Sequence, residues 1–286
     1  MAEKEKKAAS RKRVAAVAGI VAAVIGLSSY WYTNYQVPHQ NAVAAYDEAV
    51  ANLNSRNSKL DETISNLQNL MGAGDEPLDA GTLDAASAAI GKAQAARQDA
   101  PEMPSDTDEI VQTASEIDGM GDYSAQLAEL DGAQVNLQNS IDQLKLVTNP
   151  TEQFVIERLT GLPNITGVEA VTEQNDPNGK LGKQGGYSAT VYFSSDLVDS
   201  SKTYADEAYT GIPAVGADGG GAVEVYANVD DAQERDAYLG AFDGGLLSSG
   251  SHVVVGTCVV RTSDLLTASQ QQTMQDAIIV SLTRLG

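Results

Sequence analysis

Residues 176–179 read Asp-Pro-Asn-Gly, the residue types of a calcium-binding loop in which carboxylate and amide oxygens surround the ion. An EF-hand with Asp176 and Asn178 at its third and fifth positions would place Gln174 first and Gly185 twelfth. Both of those positions require a carboxylate. The EF-hand is therefore excluded, and the Asn-Gly pair predicts a tight turn instead.

Nucleophilic catalysis needs a base within hydrogen-bond reach of the nucleophile, and the chain has two histidines. His39 lies just beyond an apolar N-terminal segment, which leaves His252. Its neighbour Ser251 cannot be its partner, because adjacent residues on one strand point to opposite faces. Cys258 is the only cysteine, so the chain can form neither an internal disulfide nor a zinc site of the usual cysteine and histidine kind. We therefore predict no catalytic residue, no metal site, no cofactor and no enzymatic activity.

Glycine-rich stretches can cradle a phosphate when a helix follows them. No helix is predicted after Gly185 and Gly186, and the glycines at 219–221 precede a strand. Residues 242–245, Phe-Asp-Gly-Gly, are typical of a helix end and turn. Loop residues could still contact a ligand or a partner, and we predict six such positions: Asp176, Asn178, Gly186, Tyr187, Asp243 and His252.

The charge of the chain is distributed unevenly. Residues 1–13 carry six basic groups and two acidic ones, whereas the whole chain has 18 basic and 39 acidic residues and a formal net charge of −21. The part that follows residue 13 is therefore strongly acidic. Such a surface repels a phosphate backbone, so the composition argues against nucleic acid as a partner.

Residues 14–35 predict a transmembrane helix. The segment contains no charged residue, and its length matches the roughly 20 residues that cross the hydrocarbon core of a bilayer. The basic tail before it predicts a cytoplasmic N-terminus. Four aromatic residues at its other end suit the headgroup layer: Tyr30, Trp31, Tyr32 and Tyr35. A cleavable signal peptide is the alternative, but the positions after the apolar core lack the small-residue cleavage pattern, which favours an uncleaved anchor.

Residues 38–147 predict a helical stalk that begins anew at Pro38. Apolar residues recur at spacings of four and three in two long runs, 46–71 and 123–144, with shorter helical patterns between them. An intramolecular bundle and a dimer seam are both compatible with these patterns, and the second long run favours the bundle. Asn57 and Gln134 interrupt the two runs at equivalent places. An antiparallel coiled-coil hairpin would pair these amides and fix the register, so we predict an Asn57–Gln134 contact.

Residues 150–286 predict an α+β domain. Alternation of apolar and polar residues indicates strands at 166–173, 187–194 and 223–227, and residues 252–260 are apolar on nearly both faces. Helices are predicted at 154–162, 230–242 and from Thr267, where Gln270 completes a capping box. The predicted fold class is thus multidomain α+β: a transmembrane helix, a helical stalk, and a domain with a roughly four-stranded sheet and helices on one face.

Several short motifs in this domain occur together in a known family. They are Ala170-Val171-Thr172-Glu173, Asn175-Asp176-Pro177-Asn178-Gly179, Gly185-Gly186-Tyr187, Glu224-Val225-Tyr226-Ala227, Phe242-Asp243-Gly244-Gly245, Ser251-His252-Val253-Val254-Val255-Gly256-Thr257 and Leu266-Thr267-Ala268-Ser269-Gln270-Gln271. As a set they resemble the EbhA-like domain of Gram-positive surface and lipoprotein-like proteins, over about residues 150–286. The resemblance implies an extracytoplasmic setting and no particular activity. The chain lacks the lipid-attachment cysteine of some relatives, which fits an anchor helix.

These observations predict a single-pass cell-membrane protein with its large C-terminal part outside the cytoplasm. Its partners would be the bilayer and a cell-wall component or membrane protein, with the α+β domain acting as a non-catalytic binding or scaffolding module. Two alternatives stay open. One is an anchored enzyme with a carboxylate-based site, and the other is an envelope assembly adaptor that acts through its transmembrane helix and coiled coil.

Overall fold

A computed structural model describes the backbone of residues 2–245 and 250–286, and their side chains except for residues 2–12 and 14. The described residues form helices, a short π-helical turn and an antiparallel sheet. The helices are α1 (Ala2–Trp31), α2 (Val37–Gly72), α3 (Gly81–Ala96), α4 (Thr107–Asp118), α5 (Ser124–Leu146), α6 (Glu152–Leu159), α7 (Val229–Gly240) and α8 (Ala268–Thr283). The strands are β1 (Ile165–Ala170), β2 (Ala189–Ser195), β3 (Gly220–Val225), β4 (His252–Val255) and β5 (Cys258–Thr262).

The sequence had predicted that the N-terminal helix ends before Pro38 and that a new helix begins there. Instead, α1 continues into α2 through the π turn Tyr32–Gln36. A proline inside an α-helix lacks the amide hydrogen, and its ring meets the carbonyl four residues earlier, here that of Asn34. A π turn widens the helix by one residue per turn and shifts that carbonyl. The π turn therefore accounts for a helix that passes through a proline without a break.

The chain forms two compact units, which are described separately. The first comprises residues 1–69 and 86–133, and the second residues 70–85 and 134–286. The second unit therefore includes the last part of the predicted stalk. Val147 is fully buried in the core of this unit, and Leu78 and Leu144 pack against the same core.

The first unit contains a helical bundle whose interior carries the predicted apolar stripe. The buried residues of α2 follow the heptad positions and include Leu53, Leu60 and Leu67, each with no exposed surface. Part of this stripe packs against α4, where Ala114 and Ile117 lie in one cluster with Ala49 and Leu53. The prediction of long helices with one buried face is confirmed.

The predicted partner of Asn57 was wrong. Its amide nitrogen donates to the carbonyl of Gln98 at 2.9 Å, and its amide oxygen accepts from the hydroxyl of Tyr123 at 2.6 Å. The backbone amide of Gln98 donates to the same hydroxyl at 2.9 Å, which closes a ring of three hydrogen bonds. The buried amide is therefore satisfied within the first unit, whereas Gln134 belongs to the second.

The antiparallel hairpin fails for the same reason. It required Met71 near Tyr123 and Tyr46 near residues 144–148, but Tyr123 lies beside Asn57, and the hydroxyl of Tyr46 donates to the carbonyl of Pro101 at 2.7 Å. A heptad pattern shows which face of a helix is buried, but it does not show which helix covers that face. Here the segment between the two long helices, including α4, supplies much of the covering surface.

The second unit contains a five-stranded antiparallel sheet in the order β1-β2-β3-β5-β4. The sequence had predicted four strands, because residues 252–260 were taken as one continuous strand. Gly256 divides that run: its φ of +59° is a left-handed conformation that favours glycine, and the chain turns there to form the β4–β5 hairpin.

One face of the sheet is apolar. Phe193, Val223, Val225, Cys258 and Val260 lie on it and are fully buried. Helices α6 and α8 cover this face with the following residues: Val155, Leu159, Met274, Ile278 and Leu282. The predicted capping box at the start of α8 is confirmed, since Thr267 and Gln270 exchange hydrogen bonds.

The opposite face is covered by α7, so the prediction of helices on one face only was wrong. Ala232 and Leu239 of α7 pack with Tyr192 of β2, Ala222 of β3 and Val259 of β5. Sequence alternation made the residues of this face resemble solvent-exposed positions, because several of them are polar. They are buried because α7 lies over them, and Glu224 bonds there to Arg235, Arg261 and Tyr226.

Candidate functional site

The described chain has one helix, within Ala15–Gly72, that is long and apolar enough to cross a membrane, and none of its apolar window is buried. Its large side chains are more than half exposed: Val17, Ile20, Val21, Val24, Ile25 and Leu27. A core helix of a soluble protein has the same composition but is covered by its neighbours. In the described part of the chain, no residue covers this one.

The four predicted interface aromatics lie at the end of this apolar segment. Tyr30, Trp31, Tyr32 and Tyr35 are each between 53% and 61% exposed. Each side chain combines an apolar ring with a polar O–H or N–H group, which is the chemistry that favours the boundary between lipid and water. The apolar segment and its aromatic end form the first candidate site, a membrane-facing surface.

Three of the six predicted loop residues come together around one buried carboxylate. Asp176 is 4% exposed, and Tyr187 and Asn178 lie beside it. One carboxylate oxygen accepts from the Tyr187 hydroxyl and from the amide of Asn178. The other accepts from the amides of Lys180 and Leu181 at 2.7 and 2.8 Å.

This arrangement identifies Asp176 as the residue that orders the loop. Burial raises the pKa of the Asp176 carboxyl, but the hydrogen bonds from Tyr187 and from the backbone amides outweigh it and lower the pKa below its usual value. A carboxylate that accepts four hydrogen bonds offers little lone-pair density to a cation. The geometry therefore supports a structural loop in preference to a calcium ligand set.

Gly186 closes the same loop. A Cβ at this position would lie 2.1 Å from the carbonyl oxygen of Lys180, so no side chain fits. The side-chain nitrogen Nδ2 of Asn178 donates to the hydroxyl of Tyr192 on β2 at 3.0 Å, which ties the loop to the sheet. Burial, with the nearby charge of Glu224, raises the pKa of Tyr192 to about 12.

A second buried carboxylate, Glu224 of β3, was not predicted. It has no exposed surface, and Arg235 of α7 binds both of its oxygens, at 2.7 and 2.9 Å. Arg261 of β5 donates to one oxygen at 2.7 Å, and the Tyr226 hydroxyl donates to the other at 2.9 Å. Burial raises the pKa of Glu224, but the hydrogen bond from Arg235 and the charge of Arg261 outweigh it and lower the pKa.

These polar residues alternate with apolar ones along their strands, and the alternation was taken to indicate a face open to solvent. The charge types carried a better signal. Glu224 lies at a polar position of a predicted strand, Arg261 directly follows the predicted strand 252–260, and Arg235 lies on the predicted helix between these two strands in sequence. The structure pairs β3 with β5 and packs α7 over them, so these opposite charges meet in a buried ion pair. The network joins α7 to the sheet.

The remaining predicted pair, Asp243 and His252, is also brought together. The side chain of His252 is 9% exposed, and its Nδ1 lies 2.6 Å from Oδ1 of Asp236 on α7. Its Nε2 lies 3.4 Å from Oδ2 of Asp243, whose side chain is 56% exposed. The sequence did not identify Asp236, which lies a helical turn and a half before the predicted helix end.

A cleft of about 310 Å³ opens beside the first turns of α8. It is lined by Pro163, Asn164, Leu197, Ser269, Gln270, Thr273, Met274 and Ala277. None of these residues is charged, although the chain is strongly acidic. Hydroxyl and amide groups thus alternate with apolar groups in an uncharged cleft, which is the general character of a small ligand site.

No group of three or more histidine, cysteine, aspartate or glutamate side chains is arranged to hold a metal ion in the part of the chain that the structure describes. The resemblance to EbhA-like domains stays a prediction. No known protein family matches the chain, and no curated protein or solved structure is detectably similar to it.

Proposed function

We propose that the chain is a single-pass protein of the cell membrane whose C-terminal α+β unit lies outside the cytoplasm and acts as a non-catalytic binding module. The observation that carries this proposal is the exposed apolar segment between Ala15 and Tyr35. Exposing so many large apolar side chains to water is unfavourable, whereas lipid accepts them without cost.

The charge distribution supports the orientation. Six basic residues precede the apolar segment, and such residues favour the cytoplasmic side of a membrane. The aromatic residues follow the segment, at the end that would meet the outer headgroup layer. The acidic remainder of the chain would then be the translocated part.

The uncharged cleft beside α8 supports a binding role for the second unit. Its amide and hydroxyl groups can exchange hydrogen bonds with a peptide backbone, and Leu197 and Met274 can pack against apolar side chains. No aromatic ring lines the cleft, so it offers no surface on which a sugar ring could stack. The favoured ligand is an uncharged segment of a peptide or protein of the cell envelope.

Cysteine labelling on wall-stripped cells tests the topology. Native Cys258 is buried, so it gives a low background. Tyr204 is 78% exposed, and a Tyr204→Cys variant should react with a membrane-impermeant maleimide on intact cells. An Ala8→Cys variant should react only after lysis. Labelling of the tail on intact cells, with position 204 protected, would reverse the proposed orientation.

A matched pair of variants tests the cleft. Thr273→Arg introduces a long charged side chain into the cleft, whereas Gln272→Arg adds the same charge at an exposed neighbouring position outside the cleft lining. The purified full chain in detergent would be incubated with wall and membrane fractions. The wild type and the Gln272→Arg variant should retain the same bound peptide or protein, and Thr273→Arg should lose it. Equal retention by all three would remove the cleft from the proposal.

A further inference from the structure

The outer edge of β4 is a second surface of this unit that suits a partner, and it shares no residue with the cleft beside α8. β4 is the last strand in the order β1-β2-β3-β5-β4, so only β5 pairs with it. The amide of Thr262 donates to the carbonyl of Ser251 at 2.9 Å, and bonded pairs alternate along an antiparallel ladder. The N–H and C=O groups of His252 and Val254 therefore point away from β5.

These outward groups have no backbone hydrogen-bond partner among the described residues. The central strands β3 and β5 are buried along their whole length, whereas His252, Val253 and Val254 remain partly exposed. The side chain of Val253 packs against the core on one face of the sheet, and that of Val254 packs on the other. The open side of β4 is therefore its edge, and the backbone of another extended chain matches the spacing of its N–H and C=O groups.

The opposite edge of the sheet, β1, is protected in ways that β4 is not. A bulge between Ile165 and Gly167 interrupts β1. The carboxylate of Glu169 accepts from the amide of Ile212 at 2.8 Å, which holds the neighbouring loop against the strand. Bulges and covering loops are common means of keeping an edge strand from pairing with another chain. β4 has no bulge, and its sequence His-Val-Val-Val contains neither proline nor lysine, so it is open to an added strand.

The charges beside this edge indicate which kind of peptide it favours. Asp236 and Asp243 lie 2.6 and 3.4 Å from the imidazole nitrogens of His252, and their side chains are 36% and 56% exposed. A single imidazole, even when protonated, leaves a net negative charge at this end of β4. In an antiparallel pair, the residue opposite His252 directs its side chain to the same face, where a basic group meets these carboxylates. The next residue of the added strand then lies beside Val253, on the apolar face.

We propose that the edge of β4 binds an extended peptide segment of a partner protein as an antiparallel sixth strand, and that this segment alternates basic and apolar residues. A second copy of the chain would also present an edge strand. The formal net charge of −21 disfavours that occupant, because two such chains repel each other, whereas a cationic segment is attracted. The proposal goes beyond the cleft and does not depend on it.

Hydrogen exchange of the full chain in nonionic detergent micelles tests this proposal with a blocked seven-residue peptide that alternates valine and lysine. The lysines lie opposite His252 and Val254, so their backbone groups are the ones that bond to β4. At a peptide concentration of about ten times the dissociation constant, NMR should show roughly tenfold slower exchange of the His252 and Val254 amides. The amide of Val168, on β1, should exchange at its original rate.

Two N-methylated peptides provide a control that leaves the protein unchanged. Methylation of the lysine amides removes the donors that face β4 and should abolish the protection, whereas methylation of the valine amides should preserve it. On the protein, Asp243→Asn should weaken the binding about twofold to fivefold through the lost charge. Asp230→Asn, at an exposed position at the start of α7, should bind the peptide as the wild type does.

Unchanged exchange at β4, equal slowing at β1, or equal binding of the two methylated peptides would overturn the proposal. Protection of β4 that appears without peptide and grows with chain concentration would also overturn it, because a second copy would then be the occupant. The Thr273→Arg variant should bind this peptide as the wild type does, so failure of the cleft proposal would leave this one standing.

Discussion

The same residue types behave differently in two regions of this chain. In the sheet of the second unit, Val223, Val225 and Val260 have no exposed surface, and helices or strands cover them. In the N-terminal helix, Val24 and Ile25 are 56% and 60% exposed, and no described residue covers them. The sheet core excludes water with protein atoms. The exposed helix has no such cover among the described residues, and its length and flanking residues match those of a membrane span.

The two regions also differ in whether they contain charged residues. The apolar segment of the N-terminal helix has no charged residue, whereas the α7 face of the sheet buries Glu224 with Arg235 and Arg261. A buried charge is tolerated where its partners are fixed by the fold. In a lone helix crossing lipid no such partners exist, so a charge there is costly. Substitutions in the sheet should therefore lower the free energy of unfolding, whereas charged substitutions in the N-terminal helix should reduce its retention in membranes.

The largest effect on folding should come from the buried carboxylate. Glu224→Gln preserves the shape of the side chain but leaves Arg235 and Arg261 buried without a counter-charge, and these arginine side chains are only 11% and 8% exposed. We expect the free energy of unfolding to fall by about 3–5 kcal/mol. Urea unfolding of the full chain in micelles, followed by circular dichroism, measures it.

The exposed Glu234 on α7 provides the control for that experiment. Glu234→Gln removes a charge from the same helix without touching the network, so the free energy of unfolding should change by less than about 0.5 kcal/mol. A similarly small effect of Glu224→Gln would show that the two arginines find other partners or water. The network would then contribute little to holding α7 on the sheet.

The apolar core should show the next largest effect. Leu282 of α8 is fully buried, and Leu282→Ala should lower the free energy of unfolding by about 2–5 kcal/mol because it removes packing and leaves a cavity. Val280 on the same helix is 66% exposed, and Val280→Ala should change the free energy of unfolding by less than about 0.5 kcal/mol. Ile25→Ala should likewise have little effect on unfolding. Equal losses at positions 282 and 280 would contradict the placement of α8.

A smaller effect should appear at alkaline pH. Burial raises the pKa of the Cys258 thiol to about 12, whereas an unfolded thiol ionises near pH 8.5. The folded state keeps its proton where the unfolded state loses it, so this contribution is complete below about pH 8.5 and is lost as the pH rises toward 12. We expect the free energy of unfolding to fall by about 1 kcal/mol per pH unit above pH 9 from this group.

Cys258→Ala should flatten that dependence, which unfolding curves at pH 8, 9 and 10 would show. The native thiol should also react slowly with a bulky maleimide and quickly in urea, since it lies on the apolar face of the sheet. An unchanged pH slope in the variant, or equally fast labelling in both states, would mean that the thiol is accessible in the folded protein.

Local sequence patterns predicted the elements that depend on local chemistry. The heptad stripes predicted long helices with one buried face, and the alternation of apolar and polar residues predicted β2 and β3. The capping box of Thr267 and Gln270 predicted the start of α8. The continuous apolar run at residues 252–260 was misread, because the turn at Gly256 depends on a single backbone conformation within an otherwise strand-like sequence.

Contacts between distant elements could not be read from those patterns. Asn57 was assigned to Gln134 by register, but its side-chain amide bonds to the Tyr123 hydroxyl and to the backbone carbonyl of Gln98. The Glu224 network was missed because a buried polar face and an exposed one have the same alternation. Asp243 and His252 were both chosen from their types, yet only the structure placed them together and added Asp236.

The proposed membrane anchor is tested most directly by measuring whether the N-terminal helix holds the chain in the membrane. Val21→Arg combined with Ile25→Arg places two charges in the middle of the proposed span, each of which costs roughly 2.5–3.5 kcal/mol on insertion. The wild type should remain in alkali-washed membranes with its N-terminal segment intact by mass spectrometry, and the double variant should be lost from them. Recovery of the wild type as a soluble chain cleaved within residues 14–35, or equal retention of both proteins, would contradict the membrane anchor.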